Sequence, residues 1–215
     1  MPIRAVLFDF DGTLADSFGA ITSSVNCVRE SYGLDAMTEA HVREYVGLGL
    51  EQLMKDLVPV ADPHEAVDRY RAHHATIMIA STRLLPGVTE TVARLHARGL
   101  KLAVCSNKAV AFTKALVAGL GLAPFMAEVL GPDDVGAPKP HPAMLLEGLR
   151  RLGVSTAESV YIGDMAVDVH AARAAGMPVW LVPGGPVGRE NPADAKPDRM
   201  LKSFAELDEL LPSPQ

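Results

Sequence analysis

The chain of 215 residues has little of what marks secreted, membrane-spanning or nucleic-acid-binding proteins. Its two cysteines, Cys27 and Cys105, are too few for a disulfide framework and lack the spacing of a metal site. No apolar run is long enough to cross a bilayer, and residues 1–4 lead into an apolar segment without a signal-peptide pattern. The net charge of −6 argues against a broad surface for nucleic acid or anionic membrane. We therefore expect a cytoplasmic protein with neither nucleic acid nor membrane as a partner.

What the sequence does contain is a high share of hydrophobic residues, 48% of the chain, in short runs separated by helical patterns. The apolar runs predict strands at residues 3–8, 100–105, 127–130, 159–162 and 179–182. Helical patterns that end near a glycine predict helices at residues 86–98, 109–118, 142–152 and 166–175. Such an alternation of strand and helix is typical of an α/β fold with a doubly wound parallel sheet.

This alternation breaks between residue 16 and about residue 82, where the chain contains several helical patterns and no convincing strand. We interpret residues 16–83 as an α-helical cap domain inserted into a core domain that consists of residues 1–15 and 84–215. Near the C-terminus, the proline- and glycine-rich residues 183–197 predict a loop. Residues 201–211 predict a closing helix.

Polar residues follow the predicted strands at the points where the strands end. They are Asp9 and Asp11, Ser106 and Asn107, Lys139, and Asp164 with Asp168. Because ligands bind outside the carboxyl ends of the strands in an open parallel sheet, we expect these side chains to converge. Carboxylates suit Mg²⁺, whereas a hydroxyl, a lysine and backbone N–H groups suit the oxygens of a phosphate. The set therefore predicts a divalent cation beside a phosphate.

Each residue also has a simpler interpretation when it is taken alone. Asp9 and Asp11 would suit a solvated turn, and Asp164 would suit a helix N-cap. Lys139 lies between two prolines and would suit an exposed loop. A calcium loop of the EF-hand type is excluded for Asp9, because Leu14 stands where that loop needs glycine. The agreement of four separate positions favours the combined site.

These motifs resemble the four motifs of the haloacid dehalogenase (HAD) superfamily. The resemblance covers nearly the whole chain and rests on the segment 9–14, Ser106, Lys139 and the pair Asp164 and Asp168. The helical insertion resembles the C1 cap of that superfamily. The dipeptide at residues 16–17 and the turn at residues 46–49 resemble its phosphoglycolate phosphatase-like branch.

The resemblance implies a role for each residue. Asp9 would be the nucleophile and Asp11 the general acid and base. The phosphate would be bound by Thr13, Ser106, Asn107 and Lys139. The metal, Mg²⁺, would be bound by Asp9, Asp11, Asp164 and Asp168, the last either directly or through water. The implied enzyme is a phosphatase that hydrolyses a small phosphate ester through an aspartyl-phosphate.

Other reactions within the superfamily are separated by a few residues. In the dehalogenases of the superfamily, an aromatic residue typically replaces the second aspartate of the first motif. Asp11 therefore argues against a dehalogenase. Phosphonatases lack the second aspartate and use a lysine of the cap, of which this chain has only Lys55. A phosphomutase of the β-phosphoglucomutase type remains open, as does a non-catalytic module on the same fold.

The substrate and the assembly also remain open at this point. Nucleotides, sugar phosphates and pyrophosphate are alternatives to phosphoglycolate, and Arg43, Lys55 and Arg83 are candidate cap cations for a carboxylated substrate. The sequence does not decide between a monomer and a homodimer.

Overall fold

The structure is a computed structural model that describes residues 2–185 and 190–211. The strands in this part of the chain are β1 (Ala5–Phe8), β2 (Ala15–Asp16), β3 (Arg83–Leu84), β4 (Lys101–Cys105), β5 (Glu128–Leu130), β6 (Ser159–Gly163), β7 (Val179–Leu181) and β8 (Arg199–Met200). Six of them form one parallel sheet in the order β5-β4-β1-β6-β7-β8. The order reverses on either side of β1, so the sheet is doubly wound, as the sequence predicted.

The helices of the described residues lie in two groups. Between β2 and β3 are α1 (Phe18–Ser31), α2 (Glu39–Arg43), α3 (Leu50–Leu57) and α4 (Pro63–Ile77). After β3 are α5 (Val88–Ala97), α6 (Val110–Gly119), α7 (Pro132–Val135), α8 (Ala143–Leu152), α9 (Ala166–Ala175) and α10 (Glu206–Leu210). None of these helices is both long and apolar enough to span a bilayer.

Helices cover both faces of the six-stranded sheet. Along β1, Val6 and Phe8 pack on the face that holds α5, α6 and α10, whereas Ala5 and Leu7 pack on the face that holds α8 and α9. Successive side chains of a strand point to opposite faces, so a strand covered on both sides is apolar at every position. All four residues of β1 are fully buried for this reason.

The four helices α1 to α4 have a separate hydrophobic core of their own. The chain enters this helical region through β2 and leaves it through β3, and these two strands pair antiparallel over two residues each. The prediction that residues 16 to about 82 contain no strand was therefore wrong at Asp16, which lies in β2. The pairing is too short to leave an alternating pattern, and it forms only because the entering and leaving segments lie side by side.

The helix near the C-terminus also differs from the sequence prediction. The closing helix is shorter than residues 201–211, because Leu201 donates a backbone hydrogen bond to Leu181 at 2.8 Å and so extends the sheet beyond β8. The helix α10 begins only at Glu206. Residues 183–185 and 190–197 form turns and irregular structure, as the loop prediction expected, and its residues 186–189 lie outside the described residues.

Candidate active site

The segment that follows β1 turns sharply at Gly12, whose φ of +86° suits glycine. A Cβ at Gly12 would lie 2.1 Å from Asp164 Oδ2, so glycine also lets the backbone approach this carboxylate. Before the turn, the N–H of Asp9 donates to the carbonyl of Ile162 at 2.8 Å and continues the sheet. The turn therefore holds Asp9 and Asp11 at the carboxyl edge of the sheet, beside Asp164.

Three carboxylates meet at this edge. Asp9, Asp164 and Asp168 each have an oxygen within 4.8 Å of the other two, and all three are buried. Thr13 Oγ1 donates to Asp164 Oδ1 at 3.0 Å, but Asp164 Oδ2 is buried without a hydrogen-bond partner. Burial and the nearby negative charges of Asp168 and Asp9 raise the pKa of Asp164 well above its usual value.

Such a group of carboxylates fits a hard divalent cation. A buried carboxylate oxygen without a partner is costly, and a cation would supply the missing partner and offset the repulsion between the acidic groups. The absence of a hydrogen-bond partner for Asp164 Oδ2 therefore fits a site for Mg²⁺.

Lys139 lies among the same acidic groups and is almost completely buried. Its Nζ is 2.7 Å from Asp168 Oδ1 and 2.9 Å from Asp9 Oδ1, although the second contact is an ion pair without good hydrogen-bond alignment. It also donates to the Tyr161 hydroxyl at 2.9 Å. Burial alone would lower the pKa of Lys139, but the charges of Asp168 and Asp9 outweigh it and raise that pKa above its usual value. Lys139 is therefore a fixed cation at the site.

The side chain of Asp168 is fully engaged within the protein. Its Oδ1 contacts Lys139, and its Oδ2 accepts from the backbone N–H groups of Asp164 and Met165 at 3.1 and 3.0 Å, at the start of α9. A Cβ at Gly163 would lie 2.4 Å from Asp168 Cγ, so glycine at that position makes room for it. This arrangement favours an indirect role for Asp168, in which it orients Lys139 and the turn that carries Asp164.

Asp11 has two partners that the sequence analysis did not identify. Lys108 Nζ lies 3.1 Å from Asp11 Oδ2, and the hydroxyl of Ser17 donates to Asp11 Oδ1. Lys108 directly follows Ser106 and Asn107 at the end of β4, so the strand-end argument could have included it. Ser17 had entered only through the family resemblance, and its contact with Asp11 depends on the turn between β1 and α1.

Asn107 links two backbone segments. It donates to the Lys139 carbonyl at 2.9 Å and to the Gly47 carbonyl at 2.8 Å, and it accepts from the Lys139 N–H at 2.7 Å. These bonds use both hydrogens of the side-chain amide and leave neither for a phosphate. Ser106 is buried next to it, and its Oγ accepts only a long hydrogen bond of 3.4 Å, from the Lys108 N–H. Ser106 is therefore better placed than Asn107 for the predicted phosphate contact.

A cavity of about 60 Å³ lies between the sheet edge and the helical region. The side formed by the core, called here the core wall, consists of Asp9, Asp11, Ser106, Asn107, Lys108, Ala109, Phe112 and Met165. The side formed by the helical region, called here the cap wall, consists of Ile21, Val46, Gly47, Gly49, Leu50, Leu53, Tyr70 and His74. The core wall carries the charged groups of the cavity, whereas the cap wall is mostly apolar.

The three candidate cap cations lie elsewhere. Arg43 covers the ring of Phe18 at 3.9 Å and pairs with Glu39 at 3.0 Å. Arg83 donates to two nearby backbone carbonyls, and Lys55 is exposed. Within the described residues, Lys108 is the one cation that lines the cavity.

Known proteins of one family are similar to this chain. Residues 6–182 match the family of haloacid dehalogenase-like hydrolases. The chain is 35% identical to a phosphoglycolate phosphatase of Yersinia pseudotuberculosis, over 95% of this chain and 91% of the relative. It is 34% identical to one of Cupriavidus necator, over 98% and 94%.

A crystal structure of a predicted phosphoglycolate phosphatase from Haemophilus somnus superimposes with a TM-score of 0.88. The identity is 26%, and the match covers 97% of each chain. The carboxylate cluster, the doubly wound sheet and these matches lead to one assignment: the chain belongs to the family of haloacid dehalogenase-like hydrolases and is similar to its phosphoglycolate phosphatases.

Proposed function

We propose that this phosphatase is a Mg²⁺-dependent phosphomonoesterase that works through an aspartyl-phosphate on Asp9. The observation that carries the proposal is the buried group of Asp9, Asp164 and Asp168 around the cation of Lys139. A phosphate dianion and a carboxylate repel each other by about 4 kcal/mol per pair of unit charges at 4 Å in a protein-like dielectric. Fixed positive charge at the site is therefore the first requirement of the reaction.

Asp9 and Asp164 would hold Mg²⁺, together with the backbone carbonyl of Asp11. The ion would neutralise charge on the phosphate when bound. Lys139 would share the charge of the phosphoryl oxygens, with the Ser106 hydroxyl as a donor. The Thr13 hydroxyl donates its one hydrogen to Asp164 Oδ1 and would therefore orient that carboxylate rather than bind the phosphate. Asp168 would hold Lys139 in position.

The reaction then proceeds in two steps. A carboxylate oxygen of Asp9 attacks phosphorus, the bond to the leaving oxygen breaks, and Asp11 donates a proton to that oxygen. Asp11 next accepts a proton from a water that attacks phosphorus, and the bond between phosphorus and Asp9 breaks. Inorganic phosphate leaves and both aspartates return to their starting states. Asp11 enters the first step protonated and regains its proton from the attacking water in the second. The contact with Lys108 Nζ at 3.1 Å would hold the carboxyl group of Asp11 in place for both transfers.

Residues 16–83 would act as a cap domain over a core of residues 1–15 and 84–215. The separate hydrophobic core of α1 to α4 and the paired crossing strands β2 and β3 support this division. The cap would exclude bulk water from the aspartyl-phosphate.

Phosphoglycolate is the first substrate to test, because the relatives reported above carry that name. Nucleotides, sugar phosphates and pyrophosphate are the alternatives. The phosphomutase alternative differs in its acceptor, because a sugar phosphate would replace water in the second step.

The test measures phosphate release from these compounds with and without Mg²⁺. The wild-type chain is compared with Asp9→Asn and with the control Asp68→Asn, which changes an exposed aspartate of α4. We expect release that needs Mg²⁺, is lost in Asp9→Asn and is unchanged in the control. Conversion of a hexose 1-phosphate to the 6-phosphate without release would favour the mutase, and release that survives Asp9→Asn would contradict the assigned nucleophile.

A further inference from the structure

Lys108 is the one cation that lines the cavity within the described residues, and the proposed chemistry leaves most of its ammonium group unused. Its Nζ lies 3.1 Å from Asp11 Oδ2, in an ion pair without good hydrogen-bond alignment. An ammonium group has three N–H donors, so one carboxylate oxygen does not satisfy it. In the part of the chain that the structure describes, no other carboxylate pairs with this nitrogen. Lys108 therefore has donors left for a ligand.

The ammonium group of Lys108 is accessible to a ligand. The side chain is 7% exposed, and that of its partner Asp11 is 11% exposed. Both residues line the cavity, and Lys108 Nζ is not one of the polar atoms that are buried without a hydrogen-bond partner. Since Lys108 comes just after β4, its backbone lies at the same edge of the sheet as the carboxylates.

Lys108 lies on the side of the site where the leaving alcohol departs. In the proposed first step, Asp11 donates a proton to the leaving oxygen, which places that oxygen about 3 Å from the Asp11 carboxyl group. Lys108 Nζ is 3.1 Å from the same carboxyl group. A substrate group that contacts Nζ is therefore about one or two carbon atoms away from the leaving oxygen. Because Asp11 is protonated in that step, the substrate would supply the anion that Lys108 then lacks.

The opposite wall of the cavity limits the leaving group further. The cap wall is mostly apolar and contains no lysine or arginine, since the three candidate cap cations lie elsewhere. A sugar or a nucleoside would place several hydroxyl groups against this apolar surface without partners, which is costly. A short carbon chain with an anionic end would place its apolar part against the cap wall and its charge beside Lys108.

We propose that Lys108 determines specificity by binding an anionic group of the leaving alcohol. The substrate class is then a phosphate monoester of a short hydroxy acid, with the carboxylate about one carbon atom away from the ester oxygen. The anion is recognised from the core wall rather than by a cation of the cap. This inference rests on the proposed phosphatase function.

Esters that differ only in charge or in chain length test the proposal. Phosphoglycolate carries the carboxylate, and phosphoglycolamide has nearly the same shape without that charge. The propanoate homologue of phosphoglycolate holds the carboxylate one carbon further from the ester oxygen. We expect wild-type kcat/KM for phosphoglycolate to exceed that for the amide by about 30-fold or more, and to exceed that for the homologue. Equal values for the acid and the amide, or a preference for the longer acid, would overturn the proposal.

Substitutions of Lys108 locate the preference. Lys108→Met keeps most of the length of the side chain but removes its charge, so the ratio of the acid to the amide should fall to about 1. Lys108→Arg keeps the charge and should retain most of the ratio. Both changes alter the contact with Asp11 and should slow both esters, but the ratio isolates recognition of the anion because Asp11 serves both esters alike. A ratio that persists in Lys108→Met would contradict the proposal.

The matched control is Lys55→Met, which removes an exposed lysine of α3 that does not line the cavity. This variant should keep the wild-type ratio. Loss of the ratio in Lys55→Met but not in Lys108→Met would place the recognition in the cap and overturn the proposal.

Two features of this design keep the outcomes separate. The comparison of acid and amide in the wild type needs no variant, so it decides the question even if Lys108→Met does not fold. An aryl phosphate without a further anionic group serves as the reference for activity. Cleavage of it, together with equal values for the acid and the amide, would overturn this inference alone, and no cleavage of any ester would overturn the proposed function.

Discussion

The two walls of the cavity differ in how their polar groups are held. On the core wall, Asp9 and Asp11 each face a lysine, Lys139 and Lys108 respectively. On the cap wall, the surface is mostly apolar, and the Nε2 of His74 is buried without a hydrogen-bond partner. From this difference we propose that the core wall carries the chemistry common to all substrates, and that the cap wall influences which substrate is preferred. Apart from those of Lys108, substitutions on the core wall should therefore affect all substrates equally, and substitutions on the cap wall should change the ratio between substrates.

The largest expected effect is that of Lys139→Met, which removes the cation that lies behind the core wall and contacts Asp9. This change leaves the carboxylates of Asp9 and Asp168 buried without their cation, which costs about 3–5 kcal/mol of folding stability. We also expect kcat/KM to fall by about 100-fold or more for every ester, because the phosphoryl charge loses its fixed partner.

Chemical unfolding and kinetics on two esters measure both effects of Lys139→Met. Lys114→Met, which changes an exposed lysine of α6, is the control and should be close to wild type. A loss confined to one ester would contradict the assignment of Lys139 to the common chemistry.

The next effect concerns the carboxylate without a partner. In Asp164→Asn, the Mg²⁺ concentration for half-maximal activity should rise by at least about 10-fold, because one anionic ligand is lost. In metal-free buffer the same variant should unfold at a higher temperature than wild type, because it removes a negative charge from beside Asp168 and Asp9. Melting temperatures measured with and without Mg²⁺ test both effects. The control is Asp194→Asn, which changes an exposed aspartate. A lower melting temperature in metal-free buffer would contradict the electrostatic account.

Asn107 joins the two walls, and its effect should be intermediate. In Asn107→Asp, the residue loses the donors to the Gly47 and Lys139 carbonyls, at a cost of about 1–3 kcal/mol in stability. We expect KM to rise for all esters, because the turn at Gly47 is no longer held to the core wall. Steady-state kinetics, with Asn191→Asp on the exposed loop as control, separate KM from kcat. An unchanged KM would mean that this contact does not support binding.

The smallest effect is the pH dependence that His74 adds to folding stability. The unfolded chain binds a proton at His74 as the pH falls through 6.5, whereas the folded chain does so only near pH 3. The unfolded state binds more protons in this window, so stability falls as the pH falls below 6.5. Between pH 7.5 and 5 we expect wild type to lose about 1–2 kcal/mol more than His74→Phe. Equal losses in urea unfolding would indicate that His74 titrates normally in the folded protein.

Much of the fold and of the carboxylate site could be predicted from the sequence, because both follow from short local patterns. The apolar runs at β1, β4 and β6 located the strands, and the rule for the carboxyl ends of parallel strands brought Asp9, Lys139 and Asp164 together. The pairing of β2 with β3 and the short strand β8 were missed, since two-residue strands leave no periodic signal.

The contacts that could not be predicted are those between segments far apart in sequence. Asn107 was predicted to bind phosphate because it follows β4. Only the structure shows that its side-chain amide contacts the backbone of the Lys139 loop and of the Gly47 turn. The burial of His74 between Tyr70 and Phe112 likewise has no local signal in the sequence.

The central claim, that Asp9 carries the phosphoryl group, is tested most directly by trapping the intermediate. Enzyme turning over its best ester with Mg²⁺ is quenched in acid, and the peptides around residue 9 are examined by mass spectrometry. The account predicts a phosphoryl group on Asp9 in wild type, none in Asp9→Asn, and none on Asp11 in either. A wild-type enzyme that turns over without a phosphoryl group on Asp9, or that carries it on another residue, would contradict the account.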